Sequence, residues 1–524
     1  MKETTDTPLP THISDDMRSG KDELAYHATR PATFWQYLSA KTSYLSLDFY
    51  MVLSALVIAL IGCFMGEKIK AGGGFGMDGS LYGQWAKDFH KFVFVQGLDL
   101  YRIQRILPSA IIHYSMRLLS IPFTDRNVIY AFGILNVLLI TLSAYVWCRI
   151  ANNLKMSYRG RLVGFAGLFL SFGVMKWPSY YPVLTDTSAF FIGLLMLYFY
   201  LINNRIGLYM LMVIGAFVWP TLVYQAALFL MFPRNEAIDE SSRPARYKLN
   251  VVFAIIATSI IFLYMWSLAS NDNLKLIGDL SRMPVLQSLI YLTLAISVLY
   301  LLFGLSTIWD SNKLFDIKSI FKRFIGVNFF AVLLLVVGLK FLLSALSNGD
   351  PGHSAALLVY FTVAPGMAKP GVFYLCHVLF FGPILILALF WWKPVCEIIS
   401  QYGIGLIACV TLGFLLSLDG ESRHIFSFVP LIVVFTAKVA DALPWRPYHY
   451  LIFVLLSIAF SKVWLLLSGA PLYGDPGRYI DQFYYMTFGG PMSPEMYGIQ
   501  GAAVLLASVF IYLLYVKPWK RIST

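Results

Sequence analysis

Charge is scarce in this chain of 524 residues: Asp, Glu, Lys and Arg together make up 13%, about half the share usual in a soluble domain. Hydrophobic residues account for 58% and aromatics for 16%. That balance excludes an ordinary soluble enzyme, which needs far more polar surface to cover its core. Cysteine is sparse too. Cys63, Cys148, Cys376, Cys396 and Cys409 are scattered in or beside apolar runs, with no C-x-x-C and no His-rich spacing, so zinc or dithiol chemistry is disfavoured. Nucleotide signatures are lacking: there is no G-x-x-x-x-G-K-[ST] and no G-x-G-x-x-G set between a strand and a helix. An ATP-driven pump or a cytoplasmic nucleotide-sugar enzyme is therefore disfavoured. Residues 1–47 are mostly polar and carry no secretory signal, so the first apolar run is expected to be a retained span. The net charge of +12 points first to basic cytoplasmic loops rather than to nucleic acid.

What the chain has is a long series of apolar runs. They lie near 48–66, 127–148, 162–175, 187–202, 250–268, 285–308, 325–346, 372–391, 402–418, 425–442, 449–468 and 498–516. The stretch 206–232 is either one span or two short helices bent back at Trp219-Pro220, since proline removes a backbone donor. As a hairpin, it puts the larger share of the 40 Lys and Arg on the side of both termini, including Arg149, Lys155, Arg159 and Arg161, and the clusters 313–323 and 517–521. A single span moves the last two clusters outside, against the positive-inside rule. The hairpin is the choice that charge favours, and its short helices should be shielded by others, because a dozen residues fall short of a bilayer core.

The expected fold is thus an all-α polytopic membrane protein with about fourteen transmembrane helices, two of them short, and interfacial helices in the first outer loop. Residues 1–47 form a cytoplasmic segment, 48–232 a first module with outer loop 67–126, and 233–516 a second module with outer loops 347–371, 419–424 and 469–497. Residues 517–524 are a cytoplasmic tail. Function is expected on the outer segments.

In the first of these, glycines 72, 73, 74, 76 and 79 surround Asp78, giving a backbone that approaches a ligand closely and a carboxylate at the membrane surface. Asp78 is either a general base or merely a solvated or helix-capping carboxylate. Leu81, Trp85, Phe89 and Phe92 recur at helical spacing over 80–94, and Leu107, Ile111, Tyr114 and Leu118 over 106–121, which suggests two interfacial helices. Arg102 and Arg105, three apart, face one way on a helix and suit a phosphate clamp, unless they only snorkel to headgroups. Asp186 either caps the helix that follows it or serves the site. The turn at 419–424 crowds Asp419, Glu421, Arg423 and His424 between two spans, where charge is costly unless paired or functional. His353 and Lys369 lie in the outer loop 347–371, where each reads as solvated before catalytic, and Lys340 lies inside an apolar run, marking a polar cavity or snorkelling. The aromatic, Gly- and Pro-rich loop 469–497 suits sugar stacking or interfacial anchoring alike.

This order is similar to the GT-C superfamily of integral-membrane glycosyltransferases, which includes protein mannosyltransferases and lipid A aminoarabinose transferases. The resemblance rests on Met77-Asp78-Gly79-Ser80-Leu81-Tyr82 after the first span, Arg105-Ile106-Leu107-Pro108-Ser109, the run LTDTSAFFIGLLML with Asp186, the broken helix pair, and GESRHIFSFVPLI with Glu421-Ser422-Arg423-His424. It is best over 48–232 and returns at 419–432. Two departures stand out: Gly79 replaces the second acidic residue that many members carry, and His424 stands where Tyr is usual.

The resemblance implies a polyprenyl-phosphate-linked sugar as donor, a glycan, lipid or protein as acceptor, and inversion with Asp78 as base. It implies that Arg102, Arg105, Arg423 and His424 hold the donor phosphate and that Tyr82, Asp186, Glu421 and Lys369 contact substrate. No cofactor is expected, although some relatives use a divalent ion, and Asp78 alone is a poor hard-cation site. A bacterial inner membrane with both termini cytoplasmic is the expected setting. The rival readings are a lipid-linked saccharide flippase or secondary transporter, which calls for ionisable residues deep in spans, and an O-antigen-type polymerase or ligase, which calls for a large late outer loop.

Overall fold

The structure, a computed structural model, describes residues 34–234, 247–268, 286–311, 327–350, 352, 363–467, 489 and 492–518. His353, most of the loop 469–497, the basic cluster 313–323 and the tail from 519 lie outside the described residues. The chain divides into two compact units, Met1–Tyr50 and Met51–Thr524. In the first, the described residues 34–50 are helical. The site lies wholly in the second.

Among the described residues the regular structure is helical and no strand is present. A bilayer core of about 30 Å needs about 20 residues of helix to cross it. Five helices meet that length with apolar composition: Leu47–Met65, Asp125–Asn153, Ser288–Asp310, Asn328–Leu346 and Pro494–Val516. A sixth candidate is the pair Tyr158–Phe169 and Phe172–Tyr180, bent by 63°. Shorter apolar helices include Asp186–Leu201, Arg205–Gly215, Leu222–Met231, Val372–Phe381, Ile404–Leu416 and Pro447–Ser461. The protein is therefore an integral membrane protein, all-helical among the described residues, and its apolar runs are cut into more pieces than the expected fourteen or so helices, two of them short, allow.

The cuts have local causes. The run 162–175 breaks at Leu170–Ser171. The run 372–391 breaks at Gly382-Pro383, where Gly382 takes a φ of 86° and the proline starts a new helix, Ile384–Phe390. The stretch 206–232 forms two short helices, Arg205–Gly215 and Leu222–Met231, separated at Trp219-Pro220 and packed on each other. The shielding expected of helices too short to face lipid alone is seen for the second, which packs on Val327–Leu346 and Ile404–Leu416, whereas the first keeps Ile206, Met210, Val213 and Ile214 exposed.

The first outer segment differs in detail from its pattern. The helix expected over 80–94 is Met77–Lys87, because Asp88 leaves the helix and its Oδ1 accepts from Lys91 N at 3.2 Å to cap the next turn. The second helix is present as Leu107–Leu118 and packs on the first. Leu107 N donates to Phe217 O at 2.9 Å, which ties this segment to the break in the hairpin. Lys340 is also accounted for: its Nζ donates to Gln104 Oε1 at 3.1 Å and lies over the Tyr224 ring.

Candidate functional site

Asp78 occupies the first turn of the helix Met77–Lys87, whose N-cap is Gly76 with φ 77° and ψ −169°. A Cβ at Gly76 would stand 2.0 Å from the Tyr181 ring, so only glycine fits there. Gly79 is pressed against the same segment: a Cβ there would lie 3.0 Å from Val183 O. This close approach explains why position 79 has no room for a second acidic side chain. Gly74, Gly76 and Gly79 happen to have G-x-G-x-x-G spacing, but what leads into it is the 3-10 turn Ala71–Gly74, not a strand. Asp78 does not cap its helix. Its Oδ2 accepts from Arg423 Nη2 at 3.1 Å, a contact between residues 345 positions apart.

Arg423 belongs to the turn that follows Ile404–Leu416. The turn is held by its own side chains and by a buried histidine. Asp419 Oδ1 accepts from Glu421 N at 2.8 Å, and its Oδ2 meets His424 Nδ1. Glu421 Oε1 accepts from Arg423 Nε, and its Oε2 lies 3.6 Å from His424 Nε2. From behind, His377 Nε2 donates to Ser417 O at 2.7 Å, so its Nδ1 accepts from Ser422 Oγ at 3.0 Å. The crowded charges are thus paired, and Arg423 still reaches outward to Asp78.

Arg105 joins from a third direction. The helix Leu100–Ile103 stops before it, so the two arginines do not share a face as expected. Arg102 is about two-fifths exposed and pairs with Asp99 at 3.2 Å, whereas Arg105 is buried. The Arg105 guanidinium lies 4.1 Å from the Trp219 ring centroid and 4.5 Å from that of Tyr101, and its Nη1 donates to Tyr82 Oη at 3.2 Å. Stacking between aromatic faces is favourable for a weakly hydrated guanidinium. Trp219 also lies 6.1 Å from His424, between ring centroids. The hairpin break thus supplies a wall that joins the two cationic arms.

Asp186 opens the helix Asp186–Leu201, is 1% exposed, and among the described residues neither carboxylate oxygen has a hydrogen-bond partner. Neither it nor Thr185 caps the helix by a side-chain bond. The Nε of Arg105 and the Oγ1 of Thr185 are likewise buried without a partner. Such groups are costly unless a ligand or water meets them. Tyr82 is held by Ser109, whose Oγ donates to Tyr82 O at 3.1 Å.

Electrostatics separates the two aspartates. Burial pushes the Asp78 carboxyl up, but Arg423, Arg105 and His424 outweigh it and hold it below the usual carboxylate range. Burial raises the Asp186 carboxyl, and there the same cations do not reverse it. Burial also pushes the Tyr82 hydroxyl up to about 12, so it stays protonated. For His424, burial lowers the imidazole, but Asp419 and Glu421 overcome it and hold it above its ordinary value. The result is an ionised Asp78, whose side chain is 44% exposed, beside guanidinium groups, with the Asp186 carboxyl enclosed.

Of the residues singled out in the sequence, Asp78, Glu421, Arg423 and His424 come together through direct contacts, Arg105 bonds to Tyr82 and borders them across Trp219, and Asp186 feels their field. Lys369 does not lie in solvent: it is 0% exposed, below the 3-10 turn Ala364–Ala368. Sequence reasoning missed Trp219 as a site wall, Tyr101 and His377. The signals were available: a Trp-Pro break between short helices and a histidine inside an apolar run. Among the described residues no group of three or more His, Cys, Asp or Glu side chains is placed to hold a metal ion. In comparisons with protein-family models, curated proteins and solved structures, nothing matches this chain.

Proposed function

We propose that the protein is a membrane glycosyltransferase of GT-C type, which moves a sugar from a polyprenyl-phosphate donor to a glycan, lipid or protein acceptor at the outer face of a bacterial inner membrane. The reading includes about fourteen membrane crossings, some by paired short helices, and both termini in the cytoplasm. The observation that carries it is the meeting of an ionised, reachable Asp78 with Arg423, 345 residues away in the chain, within the electrostatic reach of Arg105.

In this mechanism the acceptor hydroxyl gives its proton to Asp78 as its oxygen bonds to the anomeric carbon of the donor. Arg423 occupies Oδ2, and among the described residues no hydrogen bond is made to Oδ1, which is left to take the proton. The carbon–oxygen bond to the lipid phosphate breaks on the opposite side, its electron pair passes to the phosphate, and the anomeric configuration inverts. Arg105, Arg423 and His424 stabilise the charge that develops there. Arg102, at the rim, attracts the donor phosphate. Tyr82, Glu421 and Asp186 orient the sugar hydroxyls; Asp186 supplies acceptors that have no partner among the described residues.

The test is to supply purified protein in lipid with radiolabelled polyprenyl-phosphate sugars and follow release or transfer of label. Transfer with inversion supports the proposal. Movement of intact donor across the bilayer without bond cleavage supports a flippase instead, and extension of a lipid-linked glycan supports a polymerase or ligase.

A further inference from the structure

His377 is the one basic residue of the helix Val372–Phe381, and it is 2% exposed. A polar ring enclosed among apolar side chains is costly unless its nitrogens are satisfied. Both are, and by one short stretch of chain: Nε2 donates to Ser417 O at 2.7 Å and Nδ1 accepts from Ser422 Oγ at 3.0 Å. A carbonyl oxygen only accepts, which puts the ring proton on Nε2 and leaves Nδ1 as the acceptor of the neutral imidazole. The ring therefore bridges the two ends of the segment 417–422, next to Arg423.

The two bonds differ in what else holds their partners. Ser417 is fixed several times over. Its N donates to Gly413 O at 3.0 Å, and its Oγ donates to Phe414 O at 2.6 Å, which leaves the Tyr300 hydroxyl to donate to that Oγ at 2.8 Å. Tyr300 also stacks on Phe414, with ring centroids 4.3 Å apart. Ser422 opens the 3-10 turn Ser422–Ile425, and among the described residues its buried hydroxyl bonds to His377 alone. Past Arg423, Phe426 N donates to Arg423 O at 3.2 Å, and the Phe426 ring packs on Phe380 and Phe381 at 5.5 and 5.6 Å between centroids. One helix thus grips the chain just before Arg423 by a hydrogen bond and just after it by two rings, while the guanidinium reaches Asp78 at 3.1 Å.

We propose that His377 is a positioning residue: through Ser422 it sets where Arg423 stands among Asp78 and Glu421, and so how well the guanidinium is placed for a departing phosphate. The consequence for the phosphate rests on the transferase reading, whereas the placement of Arg423 does not. Side-chain isosteres separate the two bonds. Asn carries its amide oxygen where Nδ1 stands, so His377→Asn keeps the Ser422 bond; Gln carries its amide nitrogen where Nε2 stands, so His377→Gln keeps only the Ser417 bond.

The experiment measures thermal unfolding midpoints of the full-length protein in nanodiscs, with and without Arg423→Met, in wild type, His377→Asn, His377→Gln and Ser422→Ala. The midpoint loss caused by Arg423→Met is expected to shrink to about half or less in His377→Gln and Ser422→Ala, and to stay near its wild-type size in His377→Asn. A histidine that only stabilises the fold gives additive losses instead. Ser422→Ala, which removes a single oxygen, carries the test if the histidine variants do not fold. With a radiolabelled polyprenyl-phosphate sugar, kcat should fall about tenfold or more in His377→Gln and Ser422→Ala while donor binding is unchanged, since a misplaced guanidinium is felt in the transition state. Additive losses in every background overturn the proposal, as does a loss that shrinks equally in His377→Asn. The expected midpoints without turnover in wild type support the positioning role and count against the transferase reading alone, so the two fail separately.

Discussion

Arg423→Met is the perturbation whose size follows most directly from the geometry. The guanidinium bonds to Asp78 at 3.1 Å and to Glu421, and its field acts on Asp186. Methionine keeps much of the side-chain volume and leaves three carboxyls without the cation they share. Removing one partner of a buried pair costs about 3–5 kcal/mol. Asp78 is 44% exposed, so water screens its share to about 0–1 kcal/mol, and Glu421, at 19%, carries most of the rest. A loss of about 3 kcal/mol near pH 7 is therefore expected.

The sign with pH is fixed as well. Asp78 is held below its ordinary range, so the wild type has this contribution above that range and loses it as pH falls through the lowered value. In the variant the clustered carboxyls take up protons more readily, so it loses stability as pH rises through the carboxylate range. The difference between the two proteins should thus grow from about pH 3 to about pH 7. Unfolding midpoints in detergent across that range measure it. A difference that stays constant with pH shows that Arg423 acts by packing alone and refutes the charge argument.

Further outcomes follow from the same site. Asp186→Asn removes a buried carboxyl that has no hydrogen-bond partner among the described residues and should raise stability by about 1–2 kcal/mol while lowering sugar transfer at least tenfold; a stability loss instead means that the carboxyl is satisfied within the fold. His424 is held above its ordinary value by Asp419 and Glu421, so its contribution is present below the ordinary value and fades as pH rises through the raised one. His424→Gln should flatten the loss of stability that the wild type shows above about pH 6.5, and an unchanged slope there assigns that loss to another group.

The membrane character and the long helices were legible because apolar runs report burial from water or lipid directly. The runs 127–148 and 498–516 fall inside Asp125–Asn153 and Pro494–Val516, and charge asymmetry selected the hairpin at Trp219-Pro220. Hydropathy is blind to a break between two equally apolar pieces, so 372–391 read as one span although Gly382-Pro383 marks the cut.

The site was half legible. Asp78 and the crowded turn at 419–424 were visible because charge near hydrocarbon calls for a reason. Their union across 345 residues was not visible, since nothing local in either segment encodes the other. Helix spacing misled for Arg102 and Arg105, because the helix ends at Ile103 and the arginines part. Lys369 sits in a polar-looking loop sequence, and only the fold shows it to be enclosed.

The proposed role of Asp78 as the base of a sugar transfer is open to direct test. The most direct measurement compares wild type and Asp78→Asn in turnover of a radiolabelled polyprenyl-phosphate sugar, together with donor binding by each. Turnover by wild type, a fall of about a hundredfold or more in Asp78→Asn, and donor binding retained in both are expected. Equal turnover in the two proteins, or donor binding without turnover in either, contradicts that role.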